Sequence, residues 1–140
     1  MNIKLATTDG DIKKCWPAVK VLRPHLEEHQ FLPMVREMIA DGYKLAFIEE
    51  GEIAAAIVGF RYLQYLFCGK HIYIDDLSTL PDFRKKGYGG VLLDYVFDYA
   101  RQCGYHTVTL DSGYQRTEAH RLYLNKGFTL ASHHFAKKLS

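Results

Sequence analysis

Cysteine is scarce in this sequence of 140 residues, and the three present, Cys15, Cys68 and Cys103, lie far apart with no Cys-x-x-Cys spacing. Such a set predicts neither a disulfide framework nor a zinc knuckle, and all three are expected to be buried as small apolar residues. Long apolar runs are also missing, since none reaches the roughly 18 residues that a membrane span needs. The opening MNIKLATTDGD lacks the basic-then-apolar pattern of a secretory signal. A cytoplasmic location and no membrane partner are therefore expected. Excess charge of one sign is absent too: 18 Lys and Arg face 16 Asp and Glu, a net +2, which gives no support to a nucleic-acid partner. No repeat, low-complexity tract or linker interrupts the chain. With 48% hydrophobic and 24% charged residues it has an ordinary globular composition, and a chain of this length buries one core. One domain over residues 1–140 is expected.

What is there divides into two patterns. Residues 3–7 alternate as a strand, and Thr8, Asp9 and Asp11 offer N-cap oxygens to a helix over 12–22. Phe31, Met34, Val35, Met38 and Ile39 have helical spacing, stopped by Asp41-Gly42. Lys44 to Glu49, Ile53 to Phe67 and His71 to Leu80 read as a three-stranded meander turning at Glu50-Gly51-Glu52 and at Cys68-Gly69-Lys70. Pro81 ends it. Beyond Pro81 the period changes. Tyr88, Val91, Leu92, Tyr95, Val96, Tyr99 and Ala100 recur at three and four, and Gly104 closes the helix. A strand at 106–110, a short helix at 117–126 and strand pattern over 128–139 follow. Strands grouped first and then alternating with helices indicate an α/β or α+β fold, with a mixed sheet and helices on its faces.

The segment Arg84-Lys85-Lys86-Gly87-Tyr88-Gly89-Gly90 stands between a strand and the strongest helix. A helix N-terminus presents unpaired N–H groups and positive potential, glycines admit close approach, and three basic side chains stand alongside. The loop is predicted to cradle an anion, with phosphate the natural guest. A dinucleotide fingerprint would need Gly where Leu92 stands, and no Gly-Lys-Ser/Thr exists for a nucleoside-triphosphate loop.

Arg84-x-x-Gly87-x-Gly89 after a strand ending Leu77-Ser78-Thr79-Leu80-Pro81 resembles the coenzyme A pyrophosphate motif of the GNAT acetyltransferase superfamily. The segment from Ala119 to Phe128, with Tyr123 four residues before Gly127-Phe128, is similar to the family's late helix. The resemblance covers almost the whole chain. It implies a mostly antiparallel central sheet of six to seven strands with about four helices, splayed between the fourth and fifth strands, where acetyl-CoA would lie as co-substrate. It also implies that Leu77, Ser78 and Thr79 pair with the pantetheine arm through their backbone. Arg84, Lys85, Lys86, Gly87, Tyr88, Gly89 and Gly90 would hold the pyrophosphate.

The implied reaction is direct attack of a primary amine of a small molecule on the thioester, in a ternary complex. An aliphatic amine with pKa near ~10 must lose a proton before it attacks. Asp75 and Asp76 are the candidate bases. The resemblance favours Asp75, which stands where related enzymes of small amines often carry Glu, and strand alternation sends the two carboxylates to opposite faces. Tyr123 lies where the family carries the acid that protonates the leaving thiolate. Where the family often has Asn before this helix the chain has Arg116, with phosphate contact or solvent as its two readings.

No metal is expected, because His133 and His134 point to opposite faces of a strand and lack a second ligand at useful spacing; one of them is expected to line the acceptor pocket. Cys68 or Cys103 would act as an acyl nucleophile only with a His beside it. Arg23, His25, Glu27, Glu28, His29, Tyr62, Gln64 and Tyr65 are further candidates for the acceptor pocket, Arg23 and Arg61 suiting an acidic acceptor and the carboxylates a cationic one. The aromatic run Tyr62 to Phe67 is compatible with a homodimer. The alternatives to this enzyme are a non-catalytic acyl-CoA-binding module and an acetyltransferase of a protein or peptide amine.

Overall fold

The computed structural model describes residues 2–140. They form two compact units, one running to Leu110 and the other from Asp111 to Ser140. The first contains β1 (Ile3–Leu5), α1 (Asp9–Lys14), α2 (Trp16–Leu22), α3 (Glu28–Ala40), β2 (Lys44–Glu50), β3 (Ile53–Tyr65), β4 (Gly69–Thr79), α4 (Tyr88–Gln102) and β5 (Val108–Leu110). The second contains α5 (Thr117–Asn125).

Thr8 caps α1 as expected, its hydroxyl accepting from the Asp11 N–H at 3.1 Å, a contact typically worth about 1 kcal/mol. The single helix expected over 12–22 is two, parted at Cys15. Pro17 is the reason: it has no N–H to bond back to the preceding turn, so the chain restarts with proline in the first turn of α2, where no such bond is needed. Helix α3 begins three residues before Phe31, and the Gln30 side chain accepts from the Glu27 N–H at 3.3 Å at its start.

The sheet order is β1-β2-β3-β4-β5, antiparallel throughout except for β5, which runs parallel to β4. On one face Tyr43, Leu45, Phe47 and Ile57 join Ile12, Ala18, Phe31 and Val35 of the first three helices, and Cys15 between α1 and α2, in one core. On the other, Phe60 meets Tyr95 and Tyr99 of α4 edge-on, with ring centroids 6.4 and 5.2 Å apart. The helical period of α4 buries Leu92, Leu93, Val96 and Ala100. Lys4 and Lys14 both bond Glu49 at 2.8 Å, tying β1 and α1 to β2.

The mixed sheet with helices on its faces is the expected fold, with five strands and five α-helices among the described residues in place of six to seven and about four. The strand pattern read over 128–139 does not become a strand. Leu130, Phe135 and Leu139 are all more than 90% exposed or close to it, at 93, 91 and 90%. Their spacing of five and then four cannot line one face of a period-2 element. The cysteines also differ from expectation: Cys15 is buried, with its thiol pushed up to about 12 chiefly by that burial, but Cys68 is half-buried and Cys103 exposed. Among the described residues no helix is long and apolar enough to cross a membrane.

Candidate active site

Strand β5 pairs with β4 only at Ile72↔Val108, Tyr73↔Thr109 and Ile74↔Leu110. Strand β4 runs on to Thr79, and among the described residues no strand covers its outer edge beyond Ile74. Which residues address that edge follows from ladder alternation. The Leu80 N–H donates to Ala55 C=O at 2.9 Å, so the opposed pair Ser78 and Ile57 is also hydrogen-bonded while Leu77 and Thr79 turn their N–H and C=O groups outward. Of the three residues expected to pair with an extended ligand, two present backbone to the open edge. Ser78 faces β3, and its buried hydroxyl donates to Ala18 C=O at 2.7 Å.

The edge runs into the basic glycine loop. After a 3-10 turn at Pro81–Phe83 the backbone is left-handed at Lys85 (φ 67°) and at Gly87 (φ 81°), which caps α4. The first helical bond there is from Val91 N–H to Gly87 C=O at 3.1 Å. The N–H groups of Tyr88, Gly89 and Gly90 are therefore left without helical acceptors at the positive end of a 15-residue helix. The flanking side chains divide. Arg84 folds back, its Nε donating to Thr79 C=O at 3.3 Å, and Lys86 lies over the Phe83 ring at 5.1 Å and 3.5 Å from Glu50. Lys85 is exposed. Tyr88 is buried and donates its phenol proton to Glu50, tying the start of α4 to the β2–β3 hairpin. Tyr88 therefore offers the cradle its backbone alone. Glu50 was not anticipated from the sequence, and nothing in its spacing marks it.

The carboxylates depart most from expectation. In the β3–β4 register Gly59 opposes Asp76 and Phe60 opposes Ile74, leaving Asp75 as the extra residue of a β-bulge. The bulge cancels the alternation that was to separate the two acids, and both enter one network. Arg61 grips Asp75 with two prongs, Nη2 at 2.8 Å and Nε at 3.0 Å. Arg23 donates to the Asp75 carbonyl at 2.9 Å and to Asp76 Oδ1 at 3.0 Å. The Tyr43 hydroxyl donates to Asp76 Oδ2 at 2.7 Å, and the Arg61 guanidinium lies 5.3 Å from the Tyr43 ring centre. Burial pushes the Asp75 carboxyl above its ordinary value, Arg61 holds back part of that rise, and the Asp76 charge adds to it. Asp75 thus has both oxygens held by one guanidinium, while Asp76 has its two oxygens bonded by Arg23 and Tyr43 from two separate elements.

Tyr123 belongs to the second unit. It sits on α5, its ring edge-on to Phe128 at 5.8 Å, and the Phe128 N–H returns to the Tyr123 carbonyl at 3.0 Å after Gly127 (φ 92°) turns the chain. Burial raises the phenol above its ordinary value and the Arg116 charge opposes that rise. The Tyr123, Gly127 and Phe128 spacing noticed in the sequence is thus one local C-terminal turn.

Other expected lining residues do not converge. Arg61 faces Tyr43 on the α1–α3 side of the sheet, but Tyr62 contacts Tyr105 at 5.5 Å on the α4 side. Glu27 pairs with His29 at 3.4 Å. His133 and His134 are exposed and belong to no strand, and His134 lies 3.6 Å from Asp111. Cys68 does have a His beside it, with Sγ 3.6 Å from His71 Nδ1. That pair lies at and just before the far end of β4, with His71 six residues or roughly 20 Å of strand from Leu77 and Cys68 further still, so it cannot serve the open edge. Among the described residues no group of three His, Cys, Asp or Glu side chains is arranged to hold a metal ion.

A sheet opening at β4, bordered by a left-handed basic loop at a helix N-terminus, is an acyl-CoA transferase architecture, and comparison with known proteins agrees. Residues 11–128 match the acetyltransferase (GNAT) family, and the chain belongs to it. It is a GNAT-type N-acetyltransferase. It is 34% identical over 139 residues to an uncharacterized N-acetyltransferase of Bacillus subtilis, YhdJ, covering 98% of each chain. It is 35% identical over 101 residues to the aminoalkylphosphonate N-acetyltransferase of Salmonella typhimurium, covering 69% of this chain and 62% of that one. Among solved structures, the aminoglycoside N-acetyltransferase AAC(6')-Iy in complex with CoA shares the fold with a TM-score of 0.84 at 16% identity, over 99% of this chain and 96% of that one.

Proposed function

We propose that the whole chain works as one acyl-CoA N-acyltransferase domain that moves an acetyl group from acetyl-CoA to a primary amine of a small molecule by direct attack. The observation that carries this reading is the open β4 edge at Leu77 and the Thr79 N–H, leading into the unpaired N–H groups of Tyr88, Gly89 and Gly90. An extended amide-bearing arm matches the edge, and a pyrophosphate matches the helix terminus. Asp75 accepts the ammonium proton, the freed nitrogen attacks the thioester carbon, and a backbone N–H at Leu77 stabilises the developing oxyanion. As the C–N bond forms and the C–S bond breaks, Tyr123 donates its phenol proton to the thiolate, and the second proton of the attacking nitrogen restores the phenol, leaving a neutral amide and the free thiol. The aminoalkylphosphonate relative favours a small acceptor that carries an anion beside its amine, and Arg23 and Arg61 supply guanidinium groups near Asp75. The cytoplasmic location expected from the sequence goes with this reading.

The test is acetyl-CoA-dependent thiol release against aminoalkylphosphonates, amino acids, polyamines, aminoglycosides, arylamines and peptides with free N-termini. Release is expected with a small amine. Release with peptides alone would overturn the small-molecule assignment.

The cradle has its own check. Gly89→Val sets a branched side chain beside the N–H groups of the first turn and is expected to weaken acetyl-CoA binding at least ~10-fold, about 1.4 kcal/mol, by calorimetric titration. Equal affinity in the two proteins would remove the loop from the binding site.

A further inference from the structure

Gly59 stands in the apolar run over residues 53–60 of β3, directly across the ladder from Asp76. Its φ is not in the left-handed region, so the backbone does not call for glycine. The space does. A Cβ on Gly59 would lie 1.7 Å from the Tyr43 hydroxyl oxygen and 2.4 Å from its Cζ. The tip of the Tyr43 ring therefore rests on the bare backbone of β3 at the point where the bulge in β4 begins. Tyr43 is only 4% exposed, and burial, with Asp76 beside it, pushes the phenol well above its ordinary value, so the hydroxyl remains a donor. Its proton goes to Asp76 Oδ2, while its ring faces the guanidinium that grips Asp75.

We propose that Tyr43 is a positioning residue for Asp75: seated over Gly59, it pins Asp76 and backs Arg61, so that the bulge holds the Asp75 carboxylate in one orientation and one charge environment. The inference rests on Asp75 as the proton acceptor of the reaction above. Four groups face Asp75: Arg61 from β3, Arg23 just after α2, Asp76 from its own strand and Tyr43 just before β2. Two of these are cations and one an anion, and the Tyr43 hydroxyl dipole offsets part of the Asp76 charge. Removing that dipole leaves the potential at Asp75 more negative, so its proton is held more tightly.

The experiment is a carbon-13 NMR pH titration of the full chain labelled at the aspartate carboxyls, with the Asp75 signal assigned by its loss in Asp75→Asn. In Tyr43→Phe, which keeps the ring and loses only the hydroxyl, the Asp75 midpoint is expected to move to higher pH. An unchanged midpoint overturns the proposal. The seating is tested by melting temperature. Gly59→Ala should lower Tm in the natural background, yet leave it unchanged or raise it when Tyr43→Leu has vacated the space, because Ala is otherwise favoured over Gly in a strand. An equal loss in both backgrounds also overturns it. Because the titration needs no acceptor, it separates this inference from the catalytic reading. Full turnover in Asp75→Asn would remove the reading and the inference together, whereas an inactive Asp75→Asn with an unmoved Tyr43→Phe midpoint removes the inference alone.

Discussion

Asp75→Asn is expected to lower kcat/KM about 100-fold or more at neutral pH, the usual range for loss of a general base. The two carboxylates differ in what holds them. Asp76 is bonded through its two oxygens to Arg23 and Tyr43, which belong to two different elements, whereas both oxygens of Asp75 are held by the single guanidinium of Arg61 and burial pushes its carboxyl above its ordinary value. A base acts only when ionised. Wild-type kcat/KM should therefore fall as pH drops through the Asp75 titration, at a pH above that of an ordinary aspartate, and the Asn variant should lack that limb. Asn keeps an oxygen for Arg61 and both side chains are partly exposed, so the folding cost should be about 1 kcal/mol. A melting curve near wild type, with activity lost, would separate chemistry from stability. Asp76→Asn is the counter-test: an equal loss of the acidic limb there would move the base by one residue.

Tyr123→Phe is expected to reduce kcat about 100-fold while leaving acetyl-CoA affinity within about twofold, since the substitution removes one proton donor and no packing surface. The ring contact with Phe128 at 5.8 Å survives the change, so the α5 turn should hold. The phenol is raised above its ordinary value by burial, which keeps it protonated through the neutral range and weakens it as an acid toward water. In the proposed reaction the thiolate is a weaker base than this phenolate, so the transfer is completed by the second proton of the attacking nitrogen restoring the phenol. Stopped-flow turnover together with calorimetric binding measures both halves. Unchanged kcat would leave Tyr123 as a packing residue of the turn.

Much of the fold was legible because its signals are local. The period of α4, the cap at Thr8, the turn at Gly51 and the glycine loop each depend on residues within a few positions of one another. The break between α1 and α2 is marked in the sequence by Pro17, although apolar spacing continues across it. The isolated Gly59 in an apolar strand run was likewise a visible mark of a bulge or of a close approach. What it made room for was not visible, since Tyr43 is 16 residues away in sequence.

The sequence by itself determined the family, the basic glycine loop and the residue types available for acid and base work, because these reside in short motifs whose spacing is their geometry. Only the tertiary structure decided that Ser78 turns inward while Leu77 and Thr79 face the open edge, since that depends on the phase of the ladder set by Leu80 and Ala55. It also decided that Asp75 and Asp76 share one side. Alternation along a strand holds only while the register holds, and one unpaired residue opposite Gly59 and Phe60 reverses the face of every side chain that follows.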